Sequence, residues 1–283
     1  MLVASYAKIN LFLELLGKLP DNYHEVNTVF CGIDLCDSIK YALTKKPDLK
    51  LWSNIAELES PNNLIFKVAA EMQARYRPEQ GIEIRLEKRI PLAAGLGGGS
   101  SNAAVTILAL NQLWDLQLSR AELEELAAGF GSDLNFFLHG GTALGSGRGE
   151  RITQLPDLEL RHLLLVNPGI RISAAEAYRL ARIPQENERV SFEVYTELTA
   201  NINRLEPGIR RAYPVVDGII SALRSGNALL AMLSGSGSTC YGVFEDATEL
   251  QACQSELEAQ GFWTYSARTL TKEEYTKCSL SLN

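Results

Sequence analysis

The sequence predicts a globular protein of mixed strands and helices, divided into two domains. Its 283 residues correspond to about two domains at roughly 150 residues per domain. In the first half, segments of alternating polar and apolar residues are followed by segments of helical periodicity. The second half has its own set of strand and helix patterns. We place the boundary near residue 155, which gives domains of residues 1–155 and 156–283.

The first half opens with strands. Residues 7–15 alternate strictly, with apolar residues on one face and polar residues such as Lys8 and Asn10 on the other. Residues 82–87 alternate in the same way and predict a second strand. Pro91 ends that strand region, and a glycine-rich loop follows it.

Two helices follow the loop. From Asn102 to Trp114, apolar residues recur at helical spacing and predict the first helix. Ser119 with Glu122 three residues later forms a capping box, which predicts the start of a second helix that ends at Gly129.

The second half alternates strands with helices. In chain order, the patterns predict a strand near 160–166, helices over 173–182, 192–204 and 214–225, two short strands around a glycine turn at 234–238, a helix from Asp246 to Gly261, and a last strand at 262–268.

Composition excludes several classes of function. Lys plus Arg number 27 against 34 Asp plus Glu, a net charge of −7 without a basic run, which argues against nucleic-acid binding. The five cysteines are odd in number and lack C-x-x-C spacing, as expected of a cytoplasmic protein. Three histidines without a paired spacing argue against a zinc site, and we predict no protein-held metal centre.

The chain shows no segment typical of membrane insertion. Charged and polar residues interrupt the apolar N-terminal stretch, which therefore does not predict a signal peptide. The uncharged segment 90–114 contains glycines, serines and amides, and it is too interrupted to predict a membrane span. No sequence feature indicates a protein partner.

The strongest signal is the glycine-rich segment 91–104, which joins a predicted strand to a predicted helix. Glycines allow close approach of a ligand to backbone N–H groups, and the helix N-terminus adds partial positive charge. We therefore predict a phosphate site; the alternative is a flexible turn that only caps the helix. The predicted phosphate-binding residues are Pro91, Leu92, Ala93, Ala94, Gly95, Leu96, Gly97, Gly98, Gly99, Ser100 and Ser101.

Two common phosphate loops do not fit this segment. A P-loop requires a lysine after its glycines, and none follows here. The dinucleotide fingerprint G-x-G-x-x-G fails as well, because Ser100 stands where the third glycine is needed. The missing lysine implies that Mg²⁺ or a distant side chain supplies positive charge to the phosphates.

Segment 91–104 (PLAAGLGGGSSNAA) resembles the second signature motif of the GHMP kinases, a family of ATP-dependent small-molecule kinases. Residues 5–30 resemble the first motif and residues 233–244 (LSGSGSTCYGVF) the third, in the family's order. The resemblance implies a two-domain α+β fold, with a ribosomal-protein-like N-terminal domain, a ferredoxin-like C-terminal domain and an active site in the cleft between them. It also implies ATP as co-substrate and Mg²⁺ as cofactor.

The resemblance assigns the chemistry to Lys8 and Asp133. The matching aspartate of the family is the general base, and the matching lysine orients it and the attacking hydroxyl. A carboxylate can take the hydroxyl proton, and an adjacent ammonium keeps that carboxylate ionised. Without the resemblance, Lys8 would be interpreted as a strand-face lysine and Asp133 as a helix N-cap.

Other features resemble the family members that phosphorylate a cytidyl diphosphate sugar-alcohol in isoprenoid synthesis. Those features are AKINLFL, the Tyr23-His24 pair, the extra loop glycine and GSDLNFF. The resemblance implies that Tyr23 and Tyr178 sandwich the cytosine and that His24 contacts its edge. Tyr178 could instead be a core residue. The resemblance further places Asn63, Leu64 and Lys88 at the adenine pocket, and Asn10, Gly235 and Ser236 at the substrate.

Alternative functions stay open at this stage. A homoserine or mevalonate type of GHMP kinase would keep the glycine loop but lack the aromatic set. A non-catalytic nucleotide or metabolite sensor of the same fold would be expected to lose the base or the lysine. The chain also departs from the family pattern at Asn22, at Asn135 and at Arg204, where a negative charge is replaced by a positive one.

Overall fold

The computed structural model describes residues 1–280, with side chains through residue 277. The side chain of Cys278 lies outside the described part, whereas Cys31, Cys240 and Cys253 are unpaired thiols. Among the described residues, no helix combines the length and the apolar character needed to cross a bilayer.

The first half forms a six-stranded sheet around the long strand β2. Its strands are β1 (Leu2–Lys18), β2 (His24–Thr44), β3 (Leu49–Ser53), β4 (Gly81–Glu87), β5 (Thr142–Ser146) and β6 (Arg151–Gln154). β1 pairs antiparallel with β2 along almost its whole length. The other edge of β2 pairs with β5 near its start and with β4 near its end, while β3 runs parallel to β4. The predicted strands at 7–15 and 82–87 are confirmed.

Four helices of the first half cover this sheet, together with the last helix of the chain, and the glycine loop leads into the second of the four. They are α1 (Leu64–Tyr76), α2 (Gly98–Leu113), α3 (Arg120–Ala128) and α4 (Leu134–His139); a single 3-10 turn covers 56–58. The capping box of α3 at Ser119 and Glu122 is confirmed. α2 begins four residues before the predicted start at Asn102. The prediction missed this turn because glycine disfavours helices, but Gly98 packs closely here: a Cβ on it would lie 2.8 Å from Lys88 Nζ and 3.0 Å from Ile90 Cγ2.

The second half forms a four-stranded antiparallel sheet in the order β10-β7-β9-β8. Its elements are β7 (Leu163–Asn167), α5 (Ala174–Leu180), α6 (Glu206–Ala212), α7 (Pro214–Ser225), β8 (Leu230–Leu233), β9 (Cys240–Val243), α8 (Ala247–Ala259) and β10 (Trp263–Ala267), followed by α9 (Lys272–Leu280). This strand order and the β-α-β-β-α-β succession match the ferredoxin-like arrangement expected from the family resemblance.

The predicted helix over 192–204 is wrong. The chain forms short 3-10 turns at 186–188, 192–196 and 198–200, and then an irregular segment before α6. Asn201 donates its side-chain amide to the Tyr195 carbonyl, and Asn203 donates to the carbonyls of Leu233 and Gly235. Such side-chain bonds to the backbone compete with helical hydrogen bonds.

Both faces of β1 are buried, which periodicity alone did not indicate. Lys8, Asn10 and Glu14 on its polar face are as inaccessible as the apolar residues opposite them. The apolar face packs against the second sheet, since Ile9 and Leu11 share a core cluster with Leu163 and Leu165. The polar face is covered by the glycine loop and by Arg204, which contact Lys8 and Glu14 respectively.

Arg204, the departure from the family pattern, pairs with Glu14. Its guanidinium donates to both carboxylate oxygens of Glu14 at 2.8 and 3.0 Å. Glu14 also accepts the backbone N–H of Val190, so this buried carboxylate joins β1 to two segments of the second half. The positive charge at residue 204 is thus matched by a buried negative charge.

A second buried carboxylate, Asp37 on β2, holds the entrance to the glycine loop. It accepts the Lys88 ammonium at 2.6 Å and the backbone N–H groups of Arg89 and Ile90 at 2.7 and 2.9 Å. The side-chain amide of Asn102, on α2, donates to it at 3.0 Å. Asp37 thereby fixes both ends of the loop, where the chain leaves β4 and where it enters α2.

We expect Asp37→Ala to destabilise the protein by about 3–5 kcal/mol, because Lys88 would remain buried without its counter-charge. Urea denaturation followed by circular dichroism measures the change in the free energy of unfolding. Asp48→Ala is the matched control, since Asp48 pairs with Lys50 at the exposed surface and its removal should leave stability unchanged. Equal stability of Asp37→Ala and the wild type would contradict this account.

Candidate active site

The glycine loop packs against the turn between β8 and β9, which is the third motif identified in the sequence. Gly95 and Gly97 have φ of +75° and +68°, the left-handed region that favours glycine. A Cβ on Gly95 would lie 2.0 Å from the Ser234 carbonyl oxygen, so no other residue fits there. Ser234 donates its hydroxyl to the Gly95 carbonyl, and Thr239 donates its N–H to the Ala94 carbonyl. The two glycine motifs therefore form one rigid unit.

The Lys8 ammonium is buried beside this unit. Its Nζ donates to Asn10 Oδ1 at 2.5 Å and to the Gly95 carbonyl at 3.0 Å. The Lys8 N–H donates to the Leu96 carbonyl, which ties β1 to the loop. Burial lowers the pKa of Lys8, and the negative charge of Asp133 partly opposes that shift. Lys8 is thus a desolvated ammonium with fixed partners.

Asp133 stands immediately before α4 with its side chain directed away from the helix. It makes no capping hydrogen bond, and one of its oxygens lies 3.7 Å from Lys8 Nζ. Phe136 and Phe137 of α4 are fully buried in the hydrophobic core of the first half of the chain, and they fix the position of the helix. Asp133 is therefore a carboxylate with a free face, next to an ammonium and held by a packed helix. This is the arrangement that a general base requires.

Two cavities meet at Asp133. The smaller cavity, of about 420 Å³, is lined by the glycine loop, by residues of β1 and β2, and by the turn between β8 and β9. The larger, of about 1150 Å³, is lined by residues 21–24 and by α5 with the segment after it. The residues that line both cavities are Ser100, Asp133, Arg148, Ala174 and Tyr178. A ligand in one cavity can therefore meet a ligand in the other beside the Asp133 carboxylate.

The smaller cavity gathers most of the predicted ATP residues. It is lined by Pro91, Leu92, Ala93, Ala94, Gly95, Leu96, Gly97, Gly98, Gly99 and Ser100, with Asn63, Leu64 and Lys88. Ser101 is not among its lining residues, because its hydroxyl bonds to that of Ser5 and its N–H donates to the Gly97 carbonyl. The Asn63 side chain caps α1 by accepting the N–H of Ile65.

The residues predicted for the substrate divide between the two cavities. Asn10, Gly235 and Ser236 line the smaller one, whereas Tyr23 and His24 line the larger one. The ring of His24, rather than that of Tyr23, stacks on Tyr178, with centroids 5.0 Å apart and planes inclined by 24°. Burial lowers the pKa of His24, which favours its neutral ring. Burial and the nearby Asp133 raise the pKa of Tyr178, which therefore keeps its hydroxyl proton.

Sequence reasoning missed four cations of the larger cavity: Lys18, Arg148, Arg179 and Arg182. Arg148 also lines the smaller cavity. The only local signal was the S-G-R-G-E segment, in which glycines flank an arginine as they do in many surface turns. These cations come together only through the fold, and they outnumber the two carboxylates, Asp21 and Asp133, that line the same cavity.

The described side chains include no group of three or more His, Cys, Asp and Glu that could hold a metal ion. At the meeting point of the cavities, the side-chain oxygens are those of the Asp133 carboxylate and of the Ser100 and Tyr178 hydroxyls. This donor set suits a cation that arrives with phosphate oxygens of its own.

Comparison with known proteins agrees with this architecture. The sequence model for the GHMP kinases N-terminal domain matches residues 63–141, and the model for the GHMP kinases C-terminal domain matches residues 185–262. A solved structure of 4-(cytidine 5'-diphospho)-2C-methyl-D-erythritol kinase superposes with a TM-score of 0.83 at 29% identity. The match covers 95% of this chain and all of that one (100%).

Curated relatives match over nearly their full length. The 4-diphosphocytidyl-2-C-methyl-D-erythritol kinase of Thermoanaerobacter pseudethanolicus is 38% identical, and the match covers 95% of this chain and 96% of the relative. The enzyme of the same name from Pelobacter propionicus is 36% identical over 93% of this chain and 97% of its own. Matches of this identity and coverage confirm the predicted family and its two-domain fold, and the chain is a small-molecule kinase of the GHMP kinase family.

Proposed function

We propose that the protein transfers the γ-phosphoryl group of ATP to the 2-hydroxyl of 4-diphosphocytidyl-2-C-methyl-D-erythritol, a step of the non-mevalonate isoprenoid pathway. The names of its relatives support this acceptor. The observation that carries the reaction is the position of Asp133, which lies where two cavities meet and 3.7 Å from Lys8 Nζ. One cavity would hold ATP and the other the acceptor.

The smaller cavity suits the ATP phosphates. Its glycine loop exposes backbone N–H groups, and the 16-residue helix α2 directs its positive end toward the loop. Asn63, Leu64 and Lys88 would surround the adenine, as the family resemblance implies. Because the loop carries no lysine of its own, it binds through geometry and the helix dipole rather than through a side-chain charge.

The proton of the acceptor hydroxyl would pass to Asp133. A hydroxyl in the larger cavity can approach the carboxylate from its exposed side, since 36% of the side chain is accessible. Lys8 lies 3.7 Å from the carboxylate and would offset the charge that develops on the phosphoryl group. Catalysis is then mostly positioning and electrostatics, as is usual for phosphoryl transfer.

Mg²⁺ would accompany ATP rather than occupy a protein cage. In kinases it is held largely by substrate phosphates and waters, and the Ser100 hydroxyl beside the glycine loop would add a protein ligand. When bound, it neutralises phosphate charge and so complements the missing loop lysine.

We expect Asp133→Ala to lower kcat by about 10²–10⁴-fold, because the hydroxyl loses its base, while ATP affinity is retained. ATP consumption is measured with the proposed acceptor and Mg²⁺, and ATP binding by calorimetry. Asp115→Asn serves as the control, since Asp115 is exposed and lines neither cavity. Wild-type turnover by Asp133→Ala would contradict the assignment. Turnover of homoserine or mevalonate instead would contradict the acceptor.

The lowered pKa of Lys8 predicts an alkaline limb in the pH dependence of kcat. The ammonium should lose its proton at a pH below the ordinary lysine pKa of about 10.4. We expect kcat to fall as the pH rises through this lowered pKa of Lys8. In Lys8→Arg the fall should move to higher pH, because a guanidinium stays protonated. Parallel pH profiles of the two proteins test this expectation. Identical alkaline limbs would show that another group titrates.

We expect Tyr178→Ala to raise KM for the acceptor roughly 10-fold or more, since a base stacked on an aromatic ring gains about 1–3 kcal/mol. KM for ATP should rise much less, because Tyr178 lines the proposed ATP cavity only where it meets the larger one. Tyr178→Phe keeps the ring and should behave like the wild type. An equal rise in both KM values for Tyr178→Ala would indicate that Tyr178 only packs the site.

A further inference from the structure

Arg148 occupies a rigid turn beside the proposed catalytic base. Gly147 accepts the N–H of Val26 through its carbonyl at 2.8 Å, which attaches the turn to β2. The Asn135 amide donates to the Glu150 carbonyl at 3.0 Å and attaches it to α4. The Arg148 N–H donates to the Glu150 carboxylate at 2.6 Å. The backbone of Arg148 is therefore fixed relative to Asp133, which directly precedes α4.

The side chain of Arg148 lies between Asp133 and the Tyr23 ring. A Cβ on Gly149 would lie 4.0 Å from Asp133 Oδ1, so the turn passes close to the base. The guanidinium lies 5.1 Å from the centroid of the Tyr23 ring and 3.4 Å from Asp21. Among the described residues that line both cavities, Arg148 is the single cation.

We propose that Arg148 binds the diphosphate group of the acceptor and so helps to select a nucleoside diphosphate derivative. This inference rests on the proposed function. In that acceptor the diphosphate joins the nucleoside to the sugar alcohol that carries the reacting hydroxyl. With the hydroxyl at Asp133 and the base at Tyr23 and Tyr178, the diphosphate lies between them, where Arg148 extends. The other three cations of the larger cavity, Lys18, Arg179 and Arg182, do not line the smaller cavity.

The chemistry of the side chain suits this role. A guanidinium binds phosphate oxygens through two parallel hydrogen bonds, and such charge-assisted bonds are among the strongest in proteins. Its present partner, Asp21, is about half exposed at 3.4 Å, an ion pair of small energy that a ligand can replace. Exchange of the Asp21 carboxylate for a phosphate therefore costs little, and movement of the guanidinium toward the phosphate frees the face of the Tyr23 ring that it now covers.

Binding of cytidine and of cytidine diphosphate, measured by calorimetry, tests the proposal directly. Arg148→Gln should weaken cytidine diphosphate roughly 10- to 100-fold, as expected for one lost hydrogen bond to a charged group, and should leave cytidine unchanged. Arg148→Lys should recover part of the loss. Arg151→Gln is the matched control, because Arg151 is exposed, begins the next strand and lines neither cavity.

Steady-state kinetics provide a second readout. Arg148→Gln should raise KM for the acceptor by a similar factor while kcat and KM for ATP stay near wild type. A fall in kcat at constant acceptor KM would place Arg148 on the transferred phosphoryl group and overturn the proposal. Asp21→Asn should not weaken cytidine diphosphate. If it did so as much as Arg148→Gln, Arg148 would act only by bracing residues 21–23, which overturns the proposal as well.

The two proposals fail in distinguishable ways. If the wild type neither binds cytidine diphosphate nor phosphorylates the acceptor, the proposed function is wrong and the inference about Arg148 fails with it. If the wild type does both and Arg148→Gln matches it, the function stands and the inference alone is overturned. Equal weakening of cytidine and cytidine diphosphate also overturns the inference alone, since it shows a contact to the nucleoside.

Discussion

The burial of the Lys8 ammonium constrains the rest of the site. A desolvated cation is costly unless its protons reach acceptors, and Lys8 finds them on three separate segments. Asn10 lies on the same strand, the Gly95 carbonyl belongs to the glycine loop, and Asp133 stands before α4. Because these acceptors must converge on one atom, β1, the loop and α4 have little freedom to shift independently. The same geometry leaves Asp133 beside an ammonium and open to a ligand.

Residues of the second half of the chain also surround Lys8, so neither half would form the site alone. A Cβ on Gly235 would lie 2.8 Å from Asn10 Oδ1 and 3.1 Å from Lys8 Nζ, so the β8–β9 turn closes over the lysine. Asn203 holds that turn through the Gly235 carbonyl. The Arg204–Glu14 pair, next in the chain, fastens the same segment to β1. The charge at residue 204 therefore serves the junction of the two sheets rather than the chemistry.

Local sequence patterns predicted most helices and strands, whereas they could not predict contacts between segments that are distant in the chain. The capping box at Ser119 and the alternation of β4 act within a few residues, so the sequence alone indicated them. The helix predicted over 192–204 failed because its asparagines bond to distant carbonyls. The loop, Lys8 and Asp133 were found through motifs, yet nothing local indicated that the polar face of β1 is buried. Arg148 was missed for the same reason, since only folding brings it beside Asp133 and Tyr23.

The distribution of charge connects these observations. The Lys8 ammonium donates to Asn10 Oδ1 and to the Gly95 carbonyl and lies 3.7 Å from the Asp133 carboxylate, so its charge is already engaged within the site. The glycine loop contributes no cation either. A kinase of net charge −7 that takes ATP as co-substrate must therefore concentrate positive charge locally. The four cations of the larger cavity do so, and Arg148 alone among them also reaches the smaller cavity. In the proposed mechanism, Lys8 orients the base Asp133, and Arg148 is left to bind the anion.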